Sequence, residues 1–159
     1  MSETPPESVA LDASGLRVAL IVSRYNPDVT GAMRAGAERA FADAGGTDLV
    51  VVPAPGAFEL AAIAGAALRS GRYDAAVCLG CVLKGETRHD EVISDALAVA
   101  LAGLSAETGM PAAFGVLTVG TQEQAMTRAD GKRGNKGAEA MNAAIEAVAS
   151  IRTLMGGGA

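Results

Sequence analysis

The sequence predicts a three-layer αβα sandwich built on a doubly wound, four-stranded parallel sheet. Two observations predict it: stretches of strand character alternate with stretches of helical period, and the strand runs are apolar on both faces. Strands of that kind must be covered from both sides, and their crossover connections are right-handed, which distributes helices over both faces. The first strand is "LRVALIV", Leu16–Val22. A helix follows, with Met33, Ala37, Ala40, Phe41 and Ala44 on one face, Thr30 as its expected N-cap and Gly45-Gly46 as its stop. "DLVVVPA" is the second strand, and "GAFELAAIAGAALRSG" a helix closing at Gly71. "YDAAVCLG" is the third strand, and its helix is expected to open near Thr87. "PAAFGVLTVG" is the fourth, led in by Pro111; Thr121 caps a short helix, and "AEAMNAAIEAVASIRTLM" ends the fold with Met141, Ala144, Ile145, Val148 and Ile151 in one stripe.

Length and composition set bounds. The chain has 159 residues, enough for one domain with a real core, expected to span residues 16–155. Residues 1–15 carry Glu3, Glu7 and Asp12, two prolines and no basic residue. They read as a disordered acidic tail, opposite in character to a secretory leader, which points to a cytoplasmic protein. Residues 156–159 read as a flexible C-terminus. No apolar run reaches the length a bilayer demands. A net charge of −5 disfavours a nucleic-acid role, since phosphate backbones require a basic surface.

Cys78 and Cys81 form a C-x-x-C spacing. An offset of three along an extended strand turns the two side chains to opposite faces, so neither a redox pair nor a zinc site is expected. Both read as small, reduced apolar residues.

Ligands of doubly wound sheets bind beyond the carboxyl ends of the strands. That rule directs attention to Ser23–Asp28, Ala54–Glu59, Cys81–His89 and Phe114–Gly120. The first offers Tyr25 and Asn26, an aromatic plate and an amide. The second offers "PGAFE", a turn leading into a helix whose first turn holds Glu59. The third offers "KGETRH", where the amides of Glu86 and Thr87 are expected to open a helix beside His89, the one imidazole of the chain. Free N–H groups at a helix start, with the positive end of its dipole, suit a phosphate. The fourth offers Phe114. Arg128, Lys132, Arg133 and Lys136 cluster shortly after. No P-loop or G-x-G-x-x-G is present, so nucleotide-dependent chemistry has no support.

"SRYN", "PGAFEL", "GCVLKGETRH", "FGVLT" and "R-x-x-x-K-x-G-N-K-G", in this order and spacing, resemble the lumazine synthase family. The match runs from about Arg17 into the last helix. The resemblance implies a flavodoxin-like sheet and a reaction without cofactor or metal. In it, a ribitylaminouracil condenses with a dihydroxybutanone phosphate to give 6,7-dimethyl-8-ribityllumazine, phosphate and water. It implies His89 as general acid/base, with the phosphate on Glu86 and Thr87 and clamped by Arg128 near Lys136. The pyrimidine would stack on Tyr25, held by Ala57, Phe58 and Glu59 and by the backbone of Cys81, Val82 and Leu83. It implies a homo-oligomer, a pentamer or an icosahedral shell of pentamers, with Phe114, Arg128 and Lys136 reaching in from the adjoining chain. Nucleic acid and membrane are not among the implied partners.

Three positions depart from the family pattern. Tyr25 stands where relatives carry Phe or Trp. Ala61 stands where many carry Pro. Asp90 follows the histidine where an aromatic is common, and reads as a complement to the helix N-terminus rather than a partner of His89. A riboflavin synthase of the same fold, or a non-catalytic lumazine- or flavin-binding shell protein, would carry the same features.

Overall fold

Apolar β-branched runs that must bury both faces form the centre of the molecule. In a computed structural model, which describes Glu7 and residues 9–157, four strands and five helices follow in the order β1 (Arg17–Ser23), α1 (Pro27–Asp43), β2 (Asp48–Ala54), α2 (Leu60–Arg69), β3 (Ala75–Leu83), α3 (His89–Thr108), β4 (Ala112–Val119), α4 (Gln122–Thr127) and α5 (Lys136–Leu154). All the ladders are parallel and the strand order is β2-β1-β3-β4. Every strand therefore points its carboxyl end to the same edge of the sheet.

Two cores lie on opposite faces. One joins Met33, Ala37 and Phe41 of α1 and Ala125 of α4 to Met141, Ala144, Ile145 and Val148 of α5. The other joins Leu60, Ala64 and Leu68 of α2 to Leu97, Leu101 and Leu104 of α3. Cys81 belongs to the first and Cys78 to the second, as their three-residue offset requires. Both thiols are free, and burial pushes Cys78 up to about 12.

Local starts differ from expectation at four helices, one of them α2, which opens at Leu60 rather than at Gly56. Helix α1 opens at Pro27 rather than after Thr30. Proline is tolerated at N1, and Asn26 supplies a left-handed N-cap with φ 55°. The Thr30 hydroxyl instead donates back to the Asn26 carbonyl at 3.3 Å. Helix α3 opens at His89, two residues beyond Thr87. Helix α5 opens at Lys136 because Asn135 caps it, accepting from Ala138 N–H at 3.0 Å. Thr121 caps α4 as expected, accepting from Gln124 N–H.

The tail expected over residues 1–15 falls partly on residues outside those described, 1–6 and 8. Of its described part, Ala13 is buried, Leu11 packs on the same core, and Ala13 N–H donates to the Ala44 carbonyl at 2.8 Å. The C-terminus expected to be flexible lies partly beyond residue 157, the last described. No described helix is long and apolar enough to cross a membrane.

Helices α1 and α5 cross in close contact at Gly36 and Gly137. A Cβ on Gly137 would collide with the backbone carbonyl of Met33, which cannot move aside as a flexible side chain could. Gly137→Ala should therefore lower stability by about 3 kcal/mol, as overpacking does. Gly31→Ala meets no atom within 4 Å and should raise stability by up to about 1 kcal/mol. Urea denaturation at matched protein concentration reads both.

Candidate active site

The parallel register creates a cleft at the carboxyl edge. Pairing of β1 with β3 ends at Val22↔Leu79, whereas pairing of β3 with β4 continues to Leu83↔Val119. Strand β3 thus outruns β1. From Gly80 to Leu83 its ladder side toward β1 faces no strand. The Asn26 side chain fastens this stretch, its Nδ2 donating to the Cys81 carbonyl at 2.9 Å.

Tyr25 and the turn after β2 form the cleft's other wall. Gly56 lacks a side chain where the Tyr25 ring approaches: a Cβ there would lie 3.5 Å from the ring and 3.1 Å from Glu59 Oε2. Tyr25, Gly56 and Glu59 are therefore gathered at one place. Tyr25 is 70% and Phe58 67% exposed, so two large rings stand in solvent rather than in the core. Ala57 to Glu59 form a turn before α2, which places Glu59 at the N-cap instead of inside the first turn. The amides of Ala57, Phe58 and Glu59 donate to no acceptor among the described residues.

The segment after β3 is richer in free donors. Lys84 N–H is spent on the Val119 carbonyl at 2.8 Å, but the amides from Gly85 through Glu91 have no acceptor among the described residues. Glu86 and Thr87 occupy a bend before the helix, with Arg88 as N-cap and no side chain capping it. An uncapped helix start preceded by unpaired amides collects positive potential without a formal cation. His89 is exposed at the first position of α3.

Asp90 is buried, 4% exposed, and its Oδ1 lacks a hydrogen-bond partner among the described residues. Adjacent residues on a helix point about 100° apart, so this carboxylate turns inward while the imidazole turns outward. It shares the inward face with Ser94, whose hydroxyl meets Thr118 Oγ1 at 2.7 Å.

The remaining expected residues form a second group. Phe114 sits opposite Cys78 in the β3–β4 register, five residues short of the strand's end, and not at the rim where the sequence suggested it. A motif locates a residue near a strand end but not its register. Phe114 and Lys136 line a groove of about 510 Å³ along the outer side of β4. Lys136 also lines a neighbouring cavity of about 370 Å³ with Arg128 and Thr118. Arg128 Nη1 donates to the Gln124 carbonyl at 3.2 Å, and Lys136 Nζ lies 3.6 Å from Glu139.

Apart from Phe114, which packs on the α2–α3 core, the two groups belong to different layers. His89 opens α3, which packs with α2, while Arg128 ends α4, which packs with α1 and α5. One chain thus carries two complementary half-surfaces: a cleft with free amides, and a cationic flank along an edge strand. Sequence reasoning offered Asn26 as an amide at the first strand end but not as the left-handed N-cap that fastens β3. The signal available was Asn, which tolerates the left-handed region, placed directly before a proline suited to the first helical position. Among the described residues, no cluster of His, Cys, Asp and Glu could hold a metal ion.

Replacing Asn26 separates its two roles. Asn26→Gly keeps the left-handed backbone and loses only the Cys81 bond, at about 1 kcal/mol. Asn26→Ala also strains the backbone and should cost roughly 2–3 kcal/mol in all. Equal losses, measured by denaturant unfolding, would assign the whole effect to the hydrogen bond.

Comparison with known proteins bears directly on this geometry. The family described as 6,7-dimethyl-8-ribityllumazine synthase matches residues 15–152. A 6,7-dimethyl-8-ribityllumazine synthase of Deinococcus deserti is 45% identical over 144 residues, covering 89% of this chain and 92% of the relative. One from Kineococcus radiotolerans is 42% identical, covering 96% and 95%. 6,7-Dimethyl-8-ribityllumazine synthase 1 of Caulobacter vibrioides is 43% identical, covering 87% and 92%. Cleft, free amides and cationic flank all fall within the matched region, and the chain belongs to the 6,7-dimethyl-8-ribityllumazine synthase family.

Proposed function

We infer that this chain condenses 5-amino-6-(D-ribitylamino)uracil with 3,4-dihydroxy-2-butanone 4-phosphate to give 6,7-dimethyl-8-ribityllumazine, in the penultimate step of riboflavin biosynthesis. The observation that carries the reading is the run of unpaired amides from Gly85 to Glu91, leading into a helix at His89, within a chain of this family. The 5-amino group attacks the ketone, and imine formation releases water. Elimination then releases phosphate and leaves an enol at the carbon that bore the 3-hydroxyl; it tautomerises to a ketone, and attack of the ribityl-bearing nitrogen on that ketone closes the ring with loss of a second water.

Each step moves protons near neutral pH, the range of an imidazole. His89 accepts and returns them. The phosphate rests on the Glu86 and Thr87 amides and departs into their positive potential. Arg128, whose planar fork suits phosphate oxygens, clamps it with Lys136 close by. The pyrimidine stacks on Tyr25. Its edges are read by the amides of Ala57, Phe58 and Glu59 and by the open backbone side of Cys81, Val82 and Leu83, where β3 outruns β1. The Tyr25 hydroxyl stays in water, which suits its 70% exposure and spares it a buried partner.

Arg128, Lys136 and Phe114 act on a neighbouring subunit's cleft. The separation of Arg128 and Lys136 from His89 by the sheet supports this, since a cationic flank on one layer then meets a free-amide cleft on another copy. The assembly is a closed homo-oligomer, a pentamer or a shell of pentamers, in the cytoplasm. No observation favours riboflavin formation or a silent shell protein.

His89→Ala should lower turnover by about a hundredfold, the low end of what acid–base catalysis contributes. Affinity for the pyrimidine should change little. Lumazine absorbance and released phosphate, followed together, read the loss. Undiminished turnover would remove the imidazole from the mechanism.

A further inference from the structure

The cationic loop after α4 holds one guanidinium more than the reading above employs. Lys132 Nζ lies 3.5 Å from Asp130, and Lys136 Nζ lies 3.6 Å from Glu139. Arg128 and Arg133 have no carboxylate within salt-bridge distance among the described residues. Both line the same cavity of about 370 Å³, with Thr118, Val119, Lys136 and Glu139. On a chain of net charge −5, two such guanidinium groups around one concavity create a local field opposite to that of the molecule.

The backbone that carries Arg133 is held from several sides. Arg133 N–H donates to the Thr127 carbonyl at 2.8 Å, and Lys136 N–H to the Arg128 carbonyl at 2.8 Å. Asn135 Nδ2 donates to the Ala32 carbonyl at 3.0 Å and also to that of Ala129. Gly131 and Gly134, at φ 97° and 81°, supply the two left-handed bends that turn Arg133 back toward Arg128. A side chain on so constrained a loop gives up little backbone freedom when it binds.

We infer that Arg133 is a second phosphate-contacting, specificity-determining residue that sits beside Arg128 and selects the doubly charged form of the phosphate substrate. This rests on the reading that places the phosphate at Arg128. A single bidentate guanidinium engages two phosphate oxygens and balances one charge. The second ionisation of a phosphate ester falls near pH 6, so at neutral pH the group carries close to two charges. The Glu86 and Thr87 amides carry no formal charge and Lys136 is paired with Glu139, so Arg133 supplies the second charge. The same pair holds the phosphate dianion after the carbon–oxygen bond breaks, when the electron pair of that bond has passed to the departing oxygen and a proton has joined it.

The test compares Arg133→Ala, Arg133→Lys and Arg128→Ala with the unaltered protein. Arg133→Ala should raise KM for the phosphate substrate about tenfold, leave KM for the pyrimidine unchanged, and weaken calorimetric binding of inorganic phosphate by a similar factor. Arg133→Lys should recover part of both. In the unaltered protein, KM for the phosphate substrate should fall as pH rises from 5.5 to 7.5, and Arg133→Ala should flatten that fall. If Arg128→Ala impairs use of the phosphate substrate while Arg133→Ala leaves KM and phosphate binding as they were, Arg133 is not a ligand and the inference fails. Equal rises in both KM values, or a fall in melting temperature without loss of phosphate binding, would make it a loop-supporting residue and also overturn the inference. Failure of the unaltered protein to form lumazine would instead sink the functional reading, while phosphate calorimetry would still decide the role of Arg133.

Discussion

A mismatch in strand length between β1 and β3 is the constraint on which the site depends. Parallel ladders must send every carboxyl end to one edge, but they need not stop together. Strand β1 turns away at Ser23 into a left-handed Asn26, while β3 continues to Leu83 against β4 alone. The backbone groups exposed by that overrun, and the turns gathered around them, form the cleft. Had β1 continued alongside, those groups would have been consumed in an ordinary ladder. Asn26 holds the junction: it is the left-handed N-cap of α1 and fastens β3 through its side-chain amide.

The second constraint is electrostatic. An acidic chain that handles an anionic substrate cannot rely on its overall field and must concentrate positive potential locally. Two devices do so. After β3 the positive potential comes from unpaired backbone amides, which carry no formal charge and need no counter-ion. After α4 it comes from guanidinium groups that form no salt bridge among the described residues. The devices lie on opposite layers of the sheet, so on the proposed reading a second subunit brings them onto one phosphate.

Most of this was legible in the sequence because it follows from period and chemistry. Doubly apolar strands dictated a covered parallel sheet, and a three-residue offset placed Cys78 and Cys81 in separate cores. Motifs at the strand ends named most of the cleft. What escaped depends on single dihedrals and on register. Asn26 adopts a conformation few non-glycine residues favour, so α1 begins three residues before the Thr30 cap that composition suggested. Phe114 proved to lie mid-strand because pairing register is set by both strands together. The burial of Asp90 followed from helix phase once α3 was seen to begin at His89.

Subunit complementation tests the central claim, that the imidazole and its amides come from one chain and the arginine from another. His89→Ala and Arg128→Ala proteins, each of low activity, would be unfolded together, reassembled, and assayed for lumazine formation beside each variant reassembled alone. Random mixing leaves about a quarter of inter-subunit sites with both groups intact, so activity should recover to about that fraction of the unaltered protein. A mixture that assembles to the same size yet stays as inactive as its components would mean that a single chain supplies both groups, contradicting the account.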